Sequence, residues 1–175
     1  MGPSQSRHAA RALRRPVEAP ARAVCVDPRF ERLTYLHGWW YGTADILGFA
    51  AVRIRLPGDL GGPSPHAREA LLAVDRGRDS LQRQIHPYLW AAYLAACEAR
   101  SARSRPSRAH RERPSELMRE RYRVGAVCAG AYGEAGLVEL ALEPRWAPGR
   151  VLGAYVQDNM LVEFRSNIGL WRTPQ

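Results

Sequence analysis

Residues 49–74 read FAAVRIRLPGDLGGPSPHAREALLAV, and in this stretch the spacing of hydrophobic residues changes from that of a strand to that of a helix. In residues 52–56, apolar side chains alternate with arginines, which is the period of a strand with one buried face. Residues 57–63 are rich in Gly and Pro and end this strand. Ser64 and Pro65 are then typical of an N-cap and a first helical residue. The stretch therefore predicts a strand that leads into a helix.

The predicted helix is long. Apolar residues recur at intervals of three and four along residues 65–99, which places them on one helical face. Gly77 weakens the helix, and Pro87 lacks the backbone donor that a helix interior requires. We expect one long helix bent at Pro87, or two helices in series.

Strand patterns lie on both sides of this helix. Residues 33–56 are rich in aromatic and β-favouring side chains, and residues 122–165 contain four further strand patterns. Asp158 and Asn159 separate the last two, and both tolerate the left-handed backbone of a hairpin turn. The predicted fold is α+β, with an antiparallel sheet of about six strands packed on a long, Pro-kinked helix.

Length and charge indicate the domain organisation. The chain has 175 residues and a net charge of +9, and this length suits one domain. We predict a disordered Arg-rich tail at residues 1–26, a single domain at residues 27–168 with a mobile Arg-rich loop at residues 100–114, and a C-terminal tail at residues 169–175. The tail and the loop carry most of the positive charge, so the predicted body is near neutral. Every basic residue is Arg, which we interpret as a compositional bias.

Several classes of protein are disfavoured. Cys25, Cys97 and Cys128 are far apart and odd in number, so they indicate neither a disulfide framework nor a zinc site. No apolar run reaches the roughly 18 residues of a membrane helix. Motifs of phosphate loops, dinucleotide folds and common hydrolases are missing from the sequence. We expect a cytoplasmic protein that uses no metal or cofactor and does not contact a membrane.

The candidate binding residues cluster around one predicted strand. Trp39 and Trp40 are adjacent and must point to opposite faces, so one ring lies on the face that a one-sided helix leaves uncovered. Tyr41 adds another residue type that is common in protein interfaces. His37 and Asp45 bracket the strand and are the nearest approach to a polar site, although a histidine that bonds to backbone or lies at the surface is the simpler interpretation.

Three segments occur in a distinctive combination: Trp40–Thr43, a Pro-led helix ending in Tyr88–Tyr93, and residues 142–155 before the hairpin at Asp158. Together they resemble a group of small bacterial α+β domains of unknown function. Some members are encoded near polymorphic toxins, where immunity-type roles are suspected. The resemblance therefore implies a role in binding another protein.

The resemblance covers the framework of the third segment and not its polar residues. Ala147, Gly149 and Arg150 stand where the group has aspartate, glutamate and histidine, so the role of those side chains does not carry over. The framework positions that match the group are Trp146, Val151, Leu152 and Gly153.

We expect a non-enzymatic protein-interaction module, immunity-like or accessory, with another protein as partner and a homodimer left open. The surface candidates are His37, Trp39, Trp40, Tyr41, Asp45, Trp146 and Arg150. The alternative is a nucleic-acid-associated protein that binds through Arg100, Arg103, Arg105, Arg108, Arg111 and Arg113. A second alternative is an enzyme whose site assembles only in three dimensions, with His37 and Asp45 in a deep polar pocket.

Overall fold

The computed structural model describes residues 23–101, 118–134 and 136–166, which form a sheet and two helices. The strands are β1 (Val24–Asp27), β2 (Glu31–Leu36), β3 (Trp39–Ile46), β4 (Phe49–Asp59), β5 (Gly62–Pro63), β6 (Tyr122–Ala129), β7 (Val138–Pro144), β8 (Leu152–Gln157) and β9 (Met160–Arg165). Eight of them lie side by side in the order β1-β2-β3-β4-β6-β7-β8-β9, and β5 pairs with β4.

The sheet consists of two four-stranded meanders. Consecutive strands pair antiparallel within β1–β4 and within β6–β9. The meanders meet where β4 pairs with β6, and this pairing is parallel, with Ile54 opposite Val127. The fold is α+β with a mostly antiparallel sheet, as predicted, but the prediction of about six strands is wrong, because the sheet has nine strands and one of its pairings is parallel. A parallel pair needs a long crossover instead of a tight turn, so no local sequence signal marks it.

The crossover is made by α1 (Pro65–Arg76) and α2 (Arg78–Ser101), which are separated at Gly77. The Ser64 side chain accepts a hydrogen bond from the Ala67 backbone N–H at the start of α1. A Cβ at Gly77 would lie 2.8 Å from the Asn159 side chain, so this junction sits close against the β8–β9 turn.

The predicted kink at Pro87 is not seen, because α2 is continuous from Arg78 to Ser101. A proline inside a helix costs about 3 kcal/mol. Pro87 is exposed, whereas Leu81, Ile85 and Leu89 are almost fully buried on the opposite side of the helix. Burial of this apolar face offsets the cost of the proline.

Both helices cover the same face of the sheet. Their buried residues join one core with buried side chains of β2–β4 and β6–β8. The helical members of this core are Ala67, Leu71, Val74, Leu81, Ile85 and Leu89, and the largest strand member is Trp40. The opposite face carries no helix within the described ranges, and it holds a smaller buried cluster that includes Ala126, Ala141 and Tyr155.

The described chain starts earlier than the predicted domain. β1 begins at Val24, inside the segment predicted as a tail, and pairs with β2. Residues 1–22, 102–117 and 167–175 lie outside the described residues, and so do the predictions made for them. The hairpin at Asp158 and Asn159 forms as predicted, with φ values of 50° and 63°. Neither helix is long and apolar enough to cross a membrane.

An ion pair ties the β1–β2 hairpin to α1. The Asp27 carboxylate accepts the backbone N–H groups of Arg29 (2.8 Å) and Phe30 (3.3 Å) and receives the Arg68 guanidinium at 2.7 Å. Burial acts to raise the pKa of Asp27, but the hydrogen bonds from Arg68 and the backbone outweigh it and lower that pKa. The ionised carboxylate therefore contributes its full stabilisation above the ordinary aspartate pKa and loses it as the pH falls from there through the lowered pKa of the folded state.

Asp27→Ala should lower the free energy of unfolding by about 1–3 kcal/mol, because two backbone donors and a guanidinium lose their acceptor. Asp45→Ala is the matched control, since Asp45 is exposed and, among the described residues, accepts only the Ala51 N–H; we expect it to cost less than about 1 kcal/mol. Urea denaturation at pH 7 measures both. Equal losses would contradict the structural role of Asp27.

The buried His86 makes the stability of the fold depend on pH. Its ring is 6% exposed and its Nε2 lies 3.4 Å from the Tyr122 hydroxyl, while Nδ1 has no hydrogen-bond partner in the described structure. Burial, and then the charge of Arg119, lower the pKa of His86. The unfolded state therefore binds the proton more readily, and stability falls as the pH drops below the ordinary histidine pKa of about 6.5.

His86→Phe should reduce the dependence of unfolding free energy on pH between about pH 7.5 and 5.5, because the group that gains a proton on unfolding is gone. Urea denaturation across this range measures the slope for both proteins. The comparison concerns the slope and not the absolute stability, which the substitution also changes. An unchanged slope would exclude His86 as its source.

Candidate functional site on the helix-free face

The helix-free face is defined by a row of side chains that crosses all eight strands of the main path. Cross-strand partners share a face of a sheet. Successive pairings run from Val24 on β1 to Thr34, and continue across the sheet to Glu163 on β9. This cross-strand row consists of Val24, Thr34, Tyr41, Arg55, Cys128, Glu139, Tyr155 and Glu163.

The two adjacent tryptophans lie on opposite sides of the sheet. Trp40 is 1% exposed in the core, and its indole N–H donates to the Asp59 carbonyl at 3.0 Å. Trp39 is half-buried on the helix-free face, next to the row position of Tyr41. Trp40 is therefore a core residue, and Trp39 is the surface candidate of the pair.

Arg55 lies over the Trp39 ring. Its guanidinium carbon is 3.7 Å from the Trp39 ring centroid and 5.8 Å from that of Tyr41. The Nε atom of Arg55 is buried and has no hydrogen-bond partner among the residues that the structure describes. No described residue forms an ion pair with Arg55. A cation held against two aromatic rings and lacking an acceptor can still bind an acidic group.

The thiol next to Arg55 is not a nucleophile at neutral pH. Cys128 pairs with Arg55 across β4 and β6 and is buried. Burial raises the pKa of Cys128 to about 12, although the Arg55 charge opposes this shift. The Cys128 thiol therefore stays protonated and packs as a small hydrophobic side chain.

A chain of hydrogen bonds continues on the other side of Cys128. Tyr155 donates to Glu139 at 3.0 Å, and its hydroxyl is 3.0 Å from that of Tyr132. Arg165 donates to the Tyr132 hydroxyl at 2.7 Å and is also paired with Glu163. Burial, followed by the contacts with Tyr132 and Glu139, raises the pKa of Tyr155, so its hydroxyl stays protonated. The charges of this half of the face are thus satisfied within the chain.

A second ion-pair group is found where β6 meets β7. Glu143 binds Arg123 at 2.5 Å and lies 3.7 Å from Arg53. The Arg53 Nε also donates to the Gly125 carbonyl at 3.2 Å. A Cβ at Gly125 would overlap the Glu143 carboxylate, so a larger residue at this position would displace Glu143 from its present ion pairs.

The structure does not bring His37 and Asp45 together. His37 is exposed in the β2–β3 turn, and Asp45 lies near the far end of β3, about 26 Å away at 3.3 Å per residue. Asp45 accepts the Ala51 N–H at 2.9 Å, where Ala51 has a φ of 52°. The two side chains therefore share no site.

The remaining predicted residues lie at the edge of the fold. Trp146 is half-buried, and its ring is 5.5 Å from that of Tyr93 on α2. Arg150 is exposed in the β7–β8 loop. Arg100 donates to the Trp146 carbonyl at 2.5 Å. The other arginines of the nucleic-acid alternative, Arg103, Arg105, Arg108, Arg111 and Arg113, are outside the described residues.

Some residues of the helix-free face could not be found from the sequence. Alternation along β4 predicted that Arg53 and Arg55 face outward, and they do. Tyr132 lies in a Gly-rich turn with a φ of 53°, and no periodic pattern marks it. Glu139 and Tyr155 become partners only through the β7–β8 register.

The described side chains do not form a metal site, because no three His, Cys, Asp or Glu residues among them are grouped to hold an ion. Comparisons with protein-family models, with curated proteins and with solved structures gave no match. The resemblance to small bacterial α+β domains thus stays an expectation. A function can be proposed only from the residues of the helix-free face.

Trp39→Ala and Trp40→Ala should differ in their effect on the free energy of unfolding, because one tryptophan lies at the surface and the other in the core. Trp40→Ala should cost about 3–5 kcal/mol of unfolding free energy or prevent folding, because it empties a buried site. Trp39→Ala should cost about 1 kcal/mol or less, since a partly exposed cation–π pair contributes little. Urea denaturation measures both, and a large loss for Trp39→Ala would make that residue structural.

Proposed function

We propose that this chain is a non-enzymatic protein-interaction module that binds another protein through its helix-free face. The single observation that carries the proposal is the Arg55 guanidinium, which lies 3.7 Å from the Trp39 ring centroid and whose buried Nε has no acceptor within the described part of the chain. Trp, Tyr and Arg are the residues that contribute most to binding energy at protein interfaces. An acidic side chain of a partner would satisfy Arg55.

Some exposed apolar side chains lie on or next to the same face. Val26 on β1 is 79% exposed and pairs with Arg32, which is two residues from the row residue Thr34 and shares its face. Tyr132 is 67% exposed and is hydrogen-bonded to the row residue Tyr155. Exposed apolar side chains next to an unpaired cation are compatible with an interaction site.

The charges of the face favour an acidic partner. Glu139, Glu143 and Glu163 all have internal partners. Arg32 and Arg55, by contrast, have no acidic partner among the described residues. The free charge of the face is therefore positive, although the described residues as a whole hold 15 Arg against 14 Asp and Glu. Charge complementarity of this kind selects partners and speeds association.

The resemblance to small bacterial domains suggests the biological setting. We propose an immunity-like or accessory role in which this face covers an acidic surface of a partner protein. The nucleic-acid alternative depends on arginines that, apart from Arg100, lie outside the described residues, and no contact on the helix-free face favours it over a protein partner.

A photo-crosslinking amino acid at Thr43, which is exposed on the helix-free face, should give one discrete adduct in the cells that naturally express the chain. The same group at Arg83, exposed on α2, is the matched control. The Thr43 adduct should weaken strongly in the Arg55→Ala background. Adducts of equal yield at both positions would contradict the proposal, and an adduct of twice the chain mass would make the partner a second copy.

Once the crosslinked partner has been identified and purified, Arg55→Ala or Trp39→Ala should weaken its binding at least tenfold. This corresponds to a loss of about 1.4 kcal/mol or more of binding free energy, which is typical of residues that contribute strongly to an interface. Arg83→Ala should leave the dissociation constant unchanged. Calorimetric titration measures all three, and thermal unfolding confirms that each variant is folded. Binding unaffected by Arg55→Ala would remove this face as the site.

A further inference from the structure

A cleft of about 480 Å³ lies at the rim of the sheet, between the β7–β8 loop and the start of β6. Its polar lining consists of Arg123, Arg145 and Arg150 with the single acid Glu143. Small-ligand sites in proteins usually occupy about 300–1,000 Å³. The cleft is therefore large enough for a small molecule.

The charge inside the cleft is positive. Glu143 already binds Arg123 and lies 3.7 Å from Arg53, so two guanidinium groups neutralise one carboxylate. Arg145 and Arg150 have no hydrogen bond or ion pair from their side chains to any described residue. The cleft thus offers two unpaired guanidinium groups next to a third that is only partly neutralised.

The backbone that carries the two free arginines is fixed. The Arg145 N–H donates to the Arg121 carbonyl at 2.7 Å, and the Arg150 N–H donates to the Ala147 carbonyl at 3.1 Å. Gly149 has a φ of 82°, which glycine adopts without strain. Both arginine side chains therefore start from backbone positions that are fixed by hydrogen bonds in the lining of the cleft.

We infer that this cleft binds a small molecule that carries phosphate groups. Guanidinium groups match phosphate oxygens in pairs, and several of them around one cavity favour a multiply charged anion. None of the described residues that line the cleft is aromatic. The ligand is therefore held by its phosphate groups, and stacking of nucleic-acid bases is not available here. This site is separate from the Trp39–Arg55 contact and does not depend on the proposed partner.

Calorimetric titration with inorganic pyrophosphate, at ionic strength held constant with NaCl, tests the inference. The full chain should bind one pyrophosphate. The double variant Arg145→Gln/Arg150→Gln should bind it at least about tenfold more weakly, because both free guanidinium groups are lost. Both residues are exposed, and thermal unfolding checks that the variant is folded.

The matched control is Arg83→Gln, which removes an exposed arginine of α2 and should leave pyrophosphate affinity unchanged. If the control and the double variant weakened pyrophosphate binding equally, the loss of affinity would be due to the change in net charge alone, and the inference would be overturned. Failure to bind pyrophosphate at millimolar concentration would also overturn it. Tighter binding of a single-stranded RNA, lost in the same double variant, would replace the small molecule with nucleic acid.

Discussion

The parallel pairing of β4 with β6 constrains the rest of the molecule. Two adjacent parallel strands cannot be joined by a tight turn, so the chain must cross over one face of the sheet between them. Here α1 and α2 make this crossover, and both helices lie on the same side. The core therefore forms under the helices, and the second face receives no helical cover within the described ranges. The helix-free face follows from this one pairing.

An uncovered face of an eight-strand sheet must still satisfy its polar groups. In the second meander, hydrogen bonds join Tyr132, Tyr155, Glu139 and Arg165, and Tyr155 also belongs to a small buried apolar cluster. In the first meander, Arg55 is held by aromatic rings and finds no acceptor. The two halves of the face therefore differ, with one half internally satisfied and the other open to an external anion.

Local patterns allowed prediction of the elements but not of their partners. Alternation along residues 52–56 placed the Arg55 side chain outside, and adjacency placed Trp39 and Trp40 on opposite faces. The turn at Asp158 was equally local. The strand β1 was missed although its partner β2 follows directly in the chain. The β4–β6 pairing, and a helix break at the weak point Gly77 instead of a kink at Pro87, could not be predicted, because each depends on contacts between residues far apart in sequence. Asn159, which packs against Gly77 between the helices, is one such contact.

The cross-strand row takes one residue from each of eight strands, so its members are spread from Val24 to Glu163. They become neighbours only through backbone pairing of the folded sheet. A ligand that lies across the strands would contact a surface that no short peptide from this chain reproduces, because a single hairpin contains at most two residues of the row. Binding of such a ligand would then be lost when the sheet unfolds cooperatively. A denatured or truncated chain would not bind a ligand that recognises the intact sheet.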